Sequence, residues 1–561
     1  MRSARTILWL AIVAALCVTA PAAAAGSKTL RIAFPSEDGS LTPYTFETGY
    51  PLMMLVYDAL MWRDAEGIAR PWLASSVRRG GGGRSVTVKL RSGVRWHDGR
   101  PFSAADVVFT YRHMAARAHP RFTPQLREIE SVTAPDARTV VFALRRTSLG
   151  FEDQPLADVP ILPRHLWTGL SADQRAPAGL PVGTGPYRLT RHVTGSRYEF
   201  RANRRYFKGA PTVAAIDVPI VRQEDAAFSR LTQGSLDAAP VNVPPGENVD
   251  RSPRLEYAGG TSYTGTMLAF NLAARPFDVL FARRAVAEAI DVAAIAGIST
   301  GPGALVGAAR GMLHPASRWA PERVLHRNNA EAARVALTEG GVDPFTVLAS
   351  RGDGVRLEAA RRVVRTLRRA GAQVRLEAVS ADRFEQRLGR GGGVADFEAA
   401  VVGIPALASY DPTYLRNVFG DPQTATLNDG GYRSPRFEQL ADRVASATTA
   451  AARRSAVADE LALLARDLPA LPLFFGGTTF AYRAVGYDDW VNVAGTGILD
   501  KQSFLARERG TQPPAATATD PRDTAGGGDD LSFMPYLIGV ALLLVVVAGW
   551  RVLRTRRTNS P

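Results

Sequence analysis

The segment DPFTVLASRGDGVRLEAARRVVRTLRRAGAQVRLEAVSADRFEQRLGRGGGVADFEAAVVGI, residues 343–404, decides the fold class. PFTVLAS reads as a strand. VRLEAARRVVRTLRRA has the helical period: Leu357, Ala360, Val364 and Leu367 form one apolar stripe, and the arginines take the remaining faces. Gly371 follows, where a glycine commonly ends a helix. AQVRLEAV is a second strand, ADRFEQRLGR a second helix and DFEAAVVGI a third strand. Strands and helices alternating over so few residues predict a parallel sheet covered by helices, hence an α/β lobe.

The first third of the chain has a different rhythm. KTLRIAF from Lys28 is a short strand, and residues 36–43 are turn-rich. The apolar run from Leu52 to Trp62 is predicted helical. RSVTVKLR, residues 84–91, alternates strictly, with Val86, Val88 and Leu90 on one face, which is the pattern of a half-buried strand. Ser92-Gly93 and His97-Asp98-Gly99 mark turns. Ser103 and Asp106 have capping-box spacing ahead of a helix whose apolar face carries Val107, Tyr111 and Met114. Thr139 to Leu144 alternates again.

Both ends of the chain are unlike its middle. Residues 1–25 carry Arg2 and Arg5, an apolar run from Ile7 to Val18, and Ala23-Ala24-Ala25 before Gly26, the pattern of a secretory signal peptide cleaved after Ala25. That run is shorter than a membrane span requires. Cys17, the one cysteine, follows Leu16, a poor context for lipidation, and a mature chain without it has no disulfide or thiolate site. Residues 508–532 hold almost no large apolar side chain and read as a flexible linker. Phe533 to Trp550 are uncharged and, at about 1.5 Å per residue, reach roughly the thickness of a bilayer core. Arg551, Arg554, Arg556 and Arg557 follow, as expected of a cytoplasmic tail, residues 551–561. The expected location is therefore outside the cytoplasmic membrane, with a single C-terminal transmembrane helix as anchor.

The 561 residues carry a formal charge of +15. Removing the six arginines of the two ends leaves +9, dispersed among acids and with only four lysines in the chain. No dense basic stripe of the kind that binds nucleic acid is present. Gly-x-Ser-x-Gly and His-Glu-x-x-His are both absent, the seven histidines are scattered, and no phosphate loop occurs. An enzyme, a metal site and a cofactor are not predicted.

Five segments, in order, carry a resemblance: LVYDALMWRDAEGIARPWLASS from Leu55, VTVKLRSGVRWHDGRPFSAADVVFTY from Val86, VGTGPYRLTRH from Val182, NRRYFKGAPTVAAIDV from Asn203 and LAFNLAARPFDVLFARRAVAEAID from Leu268. Together they resemble extracytoplasmic solute-binding protein family 5, the oligopeptide, dipeptide and nickel-binding components of ABC importers. The resemblance implies a periplasmic-binding-protein-like two-lobe fold of type II with an extra subdomain. Residues 26–56, 181–265 and 468–507 would form a discontinuous lobe I, 57–180 an inserted subdomain, and 266–467 the α/β lobe II. Two crossings would join the lobes, so that a solute closes them like a hinge. The implied partners are a small solute, peptide or other, and the permease and ATPase subunits of an ABC importer. A membrane-anchored receptor that reports occupancy without transport is the alternative.

Carried over motif by motif, the resemblance suggests ligand contacts at Ser36 and Glu37, Thr48 and Tyr50, Tyr57, Gly183 to Tyr187, Asn271, and the loop with Ala408, Tyr410 and Asp411. Structural readings stand beside these: a core position for Tyr57, a tight turn for Gly183 and Gly185, a helix cap for Asp411-Pro412. One departure is informative. Peptide-binding relatives place an acid about three positions before this Asp-Pro, against the peptide's α-ammonium; here that position is Ala408. A buried ammonium without counter-charge costs several kcal/mol. The departure favours a neutral or acidic solute, or a peptide held in another register; Glu37, from the other lobe, is the alternative counter-charge.

Overall fold

Strands Phe345–Ser350, Val374–Val379 and Ala399–Ile404 run parallel, with the first in the middle, as residues 343–404 predict. The structure is a computed structural model and describes residues 26–46, 49–171, 174–241, 255–297, 305–390, 393–493 and 497–506. Helix Gly354–Arg369 covers the sheet with Ala359, Ala360, Val363, Val364 and Leu367, while Leu357 stands half-buried at the margin of that stripe. The Asp353 side chain accepts from the Arg356 amide to start the helix, and Gly371 takes a φ of +94° just past its end.

The sheet does not stop at the parallel strands. Ala399–Ile404 pairs antiparallel with Glu256–Phe270, which pairs with Ala470–Tyr482, which pairs in turn with Ala238–Val241. The two long strands form one ribbon, with a register shift between Thr261 and Gly265. Residues 265 and 266, where a lobe boundary is expected, lie inside this ribbon.

The first lobe is built on a four-stranded sheet in which Gly26–Arg31 lies parallel to Val213–Pro219, followed by Arg197–Ala202 and Tyr187–Val193. Between the two parts of this sheet the chain makes a second, antiparallel sheet of Ala74–Gly80, Ser85–Leu90, Thr139–Leu144 and Ile129–Asp136. Val86, Val88 and Leu90 point into its core, and helix Ala104–Ala116, opened by the Ser103–Asp106 capping box, buries Val107, Tyr111 and Met114.

The helix predicted over 52–62 is shorter. It spans Tyr50–Val56, and Met61–Arg63 is a strand paired with Ala69–Pro71. Tertiary contacts end it: Tyr57 is extended, and the Val56 carbonyl accepts from the amide of Gly185 at 2.8 Å. Asp58 then turns inward. Its carboxylate accepts from Lys501 Nζ at 2.6 Å, Trp72 Nε1 at 2.9 Å, Tyr206 Oη at 3.0 Å and Thr184 Oγ1 at 2.9 Å, and both members of the ion pair are fully buried. Burial lowers the Lys501 pKa, against the pull of Asp58. The YDAL and GTGPY motifs thus meet at one buried carboxylate.

The described residues fall within one compact unit that ends at Glu508. The expected signal peptide (1–25), Thr48, the linker (508–532), the transmembrane helix (533–550) and the tail (551–561) lie outside the described residues. Among the described residues no helix is long and apolar enough to cross a membrane.

Candidate functional site

Residues of the ranges 57–180 and 266–467, the expected subdomain and α/β lobe, face each other across a polar seam. Arg63, at the end of strand Met61–Arg63, reaches into it. Its guanidinium donates to the carbonyls of Asp153 at 2.7 Å and Ala157 at 3.3 Å, and lies 3.8 Å above the Tyr410 ring. Tyr410 ends the short helix Ala406–Tyr410 and packs on Tyr263 of the long ribbon, ring centres 4.9 Å apart. Trp319 Nε1 donates to the Tyr410 carbonyl at 3.1 Å, and Ser317 Oγ to that of Ser409, so loop 314–319 holds this wall in place.

A second layer lies beside the first. Arg121 forks onto Asp158 at 2.7 and 3.0 Å and sits 4.0 Å over the Tyr50 ring. Tyr50 Oη and Gln125 Nε2 donate to the same carboxylate, at 2.9 and 2.7 Å. Burial alone would raise the Asp158 pKa; the Arg121 charge and these hydrogen bonds outweigh it and hold the group at about 2. Asp153 differs. It is buried and paired across the seam with Arg318, yet desolvation dominates and pushes it up to about 6.

The two sides pack tightly at Gly150. A Cβ there would stand 1.7 Å from Oδ2 of Asp411. Asp411 cannot swing away, because it accepts from the Thr413 amide and hydroxyl and is paired with the buried Arg453. Next to this contact the seam opens into a cavity of about 350 Å³, with Gln125, Arg127 and Arg145 on the subdomain side and Asp411, Tyr414 and Arg416 on the lobe side.

The residues suggested by sequence fall into two groups. Tyr50, Tyr410 and Asp411 lie in the seam. Apart from Thr48, which lies outside the described residues, the others are elsewhere. Tyr57 is a core residue, and Tyr187 donates to the Val213 carbonyl from the core. Cβ atoms at Gly183 and Gly185 would meet backbone of residues 55–57 at 1.9–3.2 Å, so these glycines serve close packing. Asn271 pins the Phe397 carbonyl at 2.9 Å and accepts from Ala273. Glu37 accepts from His192 Nε2 and the Gly195 amide, each at 2.7 Å, and these bonds hold it below the usual carboxylate range despite partial burial. Ser36 precedes it, half-buried. Ala408 is fully buried in the α/β lobe. Sequence reasoning missed Arg63, Arg121, Asp153, Asp158, Arg318 and Arg453. In a chain this rich in arginine, no spacing sets them apart.

The frame is two-lobed, with a polar cavity of about 350 Å³ in the seam. The profile of the bacterial extracellular solute-binding proteins, family 5 Middle, matches residues 69–425, and the chain belongs to that family. Protein XP55 of Streptomyces lividans is 28% identical over 374 residues, 63% of this chain and 67% of that protein. The alignments span about two thirds of the length of such curated relatives. The oligopeptide-binding protein AppA of Bacillus subtilis, solved with a nonapeptide, has the same fold at a TM-score of 0.72 and 21% identity, over 86% of this chain and 99% of that one. AgaA of A. tumefaciens, solved with agropinic acid, gives 0.72 and 21% over 85% and 97%.

Proposed function

We propose that this chain captures a small solute between the inserted subdomain and the α/β lobe, outside the cytoplasmic membrane, and passes it to the permease of an ABC importer. The observation that carries this reading is the cavity itself, about 350 Å³, walled from both sides of a seam that a two-strand ribbon joins. That volume is near the lower end for small-molecule sites. Closure is favoured because a solute contacts both walls only when they are together. Relatives of this fold hold a nonapeptide in one case and agropinic acid in another, so the frame admits both peptide-like and other small solutes. The uncharged stretch 533–550 with its arginine flank supports a C-terminal tether, and the 25-residue linker before it supports a local search of roughly 25–30 Å.

The test is to purify the full chain, release what it carries by unfolding, and identify it by mass spectrometry. A released small molecule that rebinds one-to-one and raises the melting temperature is the expected result. Recovery of none, with no thermal response to peptides, sugars or organic acids, sinks the reading. For the tether, protease cleavage within 508–532 should release a fragment that still binds; loss of its fold on cleavage would show that the span is structural.

A further inference from the structure

The cavity's charges do not balance. Arg146 forks onto Glu128 at 2.7 and 2.8 Å and reaches Asp442 at 3.1 Å. Arg416 holds Glu438 at 3.0 Å and shares Asp442 at 2.8 Å. Asp411 is taken by Arg453. Each of these acids already has its cation. Arg127 and Arg145 have no acidic partner among the described residues. Among the described residues Arg127 donates only to the backbone carbonyl of Thr424, at 3.0 Å, and the Arg145 side chain makes no hydrogen bond or ion pair.

Arg127, from the subdomain side, and Arg416, from the α/β lobe side, line the same cavity. The effect is visible on Arg127, whose pKa is lowered by burial first and by the Arg416 charge second. Like charges on one cavity repel, and Arg127 and Arg145, both exposed, oppose the approach of Arg416. An oxyanion between them reverses the sign. The guanidinium forks of Arg127 and Arg145 suit a carboxylate or phosphate, which they bind by paired N–H···O bonds, while Arg416 stays on Glu438 and Asp442 and adds its charge. A second observation agrees: the two acids that line the cavity, Glu128 and Asp411, are already paired, with Arg146 and Arg453.

We infer that the solute taken by this seam carries an oxyanion, bound between Arg127, Arg145 and Arg416, and that this anion is what allows the lobes to close. The inference rests on the solute-binding reading above and narrows it to acidic solutes.

The test uses the full chain, stripped of carried solute and titrated calorimetrically with citrate, inorganic phosphate, glucose and trialanine amide, which lacks a carboxylate, beside identification of the solute it carries. Binding of citrate but not phosphate points to a carboxylate; the reverse points to a phosphate. For the anion that binds, or for the carried solute, an Arg127→Gln, Arg145→Gln double variant should weaken affinity about tenfold or more while the empty protein keeps its melting temperature. An Arg127→Lys, Arg145→Lys variant, which keeps charge without the fork, should fall between. A carried solute that is uncharged or cationic, or an affinity unchanged in the glutamine variant, overturns the inference and leaves solute binding intact. Absence of any solute, acidic or not, removes both.

Discussion

Replacing Gly150 with alanine should hold the lobes apart without unfolding either. The new methyl would stand 1.7 Å from Oδ2 and 2.4 Å from Cγ of Asp411. Ordinary contact is about 3.5–4.0 Å, so the walls must separate by roughly 2 Å. Neither partner can yield locally, since Arg453 and the Thr413 cap fix the Asp411 carboxylate. Gly150 does not have a left-handed φ, so alanine carries no backbone strain there. A 2 Å gap breaks the bond from Gln154 Nε2 to the Leu407 carbonyl, now 2.7 Å, and the Arg318–Asp153 pair. A buried hydrogen bond contributes about 1 kcal/mol and a half-exposed pair up to about 1 kcal/mol, so closure weakens by about 2 kcal/mol, or roughly thirtyfold. Apparent affinity for the carried solute should fall by the same factor, because only the closed fraction binds fully. Calorimetry measures the affinity, and small-angle scattering reports the opening. Unchanged affinity together with an unchanged scattering profile would refute the reasoning.

Three further outcomes follow from the same structure. Lys501→Met leaves Asp58 buried without its cation and should cost about 3–5 kcal/mol; for a unit of this size that is a fall of roughly 3–5 °C in melting temperature, and a change below about 1 °C counts against the pair's role. Ala408→Asp places a carboxylate where the side chain is fully buried, so melting temperature should drop by several degrees; a stable variant that gains affinity for trialanine would mean that position 408 faces the solute. Glu460 is fully buried, with both oxygens unpartnered among the described residues, and desolvation pushes it up to about 8. Its folded pKa exceeds its unfolded one, so its contribution to stability is full below about pH 4.5 and is lost as pH rises towards 8. Glu460→Gln should flatten that decline in thermal unfolding between pH 5 and 8, and parallel pH profiles would count against it.

The sequence exposes what repeats and hides what meets only in space. Residues 343–404 declare their strands and helices because a buried face imposes a period on its own segment. Ser103 and Asp106 declare a helix start because their bonds reach three residues. The end of the helix at Val56 is invisible, since the Gly185 amide that fixes it is far along the chain. Asp58 and Thr184 sit in motifs that resemblance marks as near the ligand, and their structural role appears only when both are seen on one carboxylate with Lys501. The seam is the least legible part. Arg63 and Arg121 matter because of the tyrosines they cover, and nothing local distinguishes them from the other arginines.

The Asp58–Lys501 pair also has a consequence in time. Its members are separated by 443 positions, and the ribbon strand Ala470–Tyr482 is equally late. As the chain is made from its N terminus, the first lobe contains a carboxylate with no cation and a sheet edge with no partner until nearly everything else exists. Such long-range closure makes folding slow. The lock arrives last, so the nascent chain cannot complete its first lobe before residue 501 has been made.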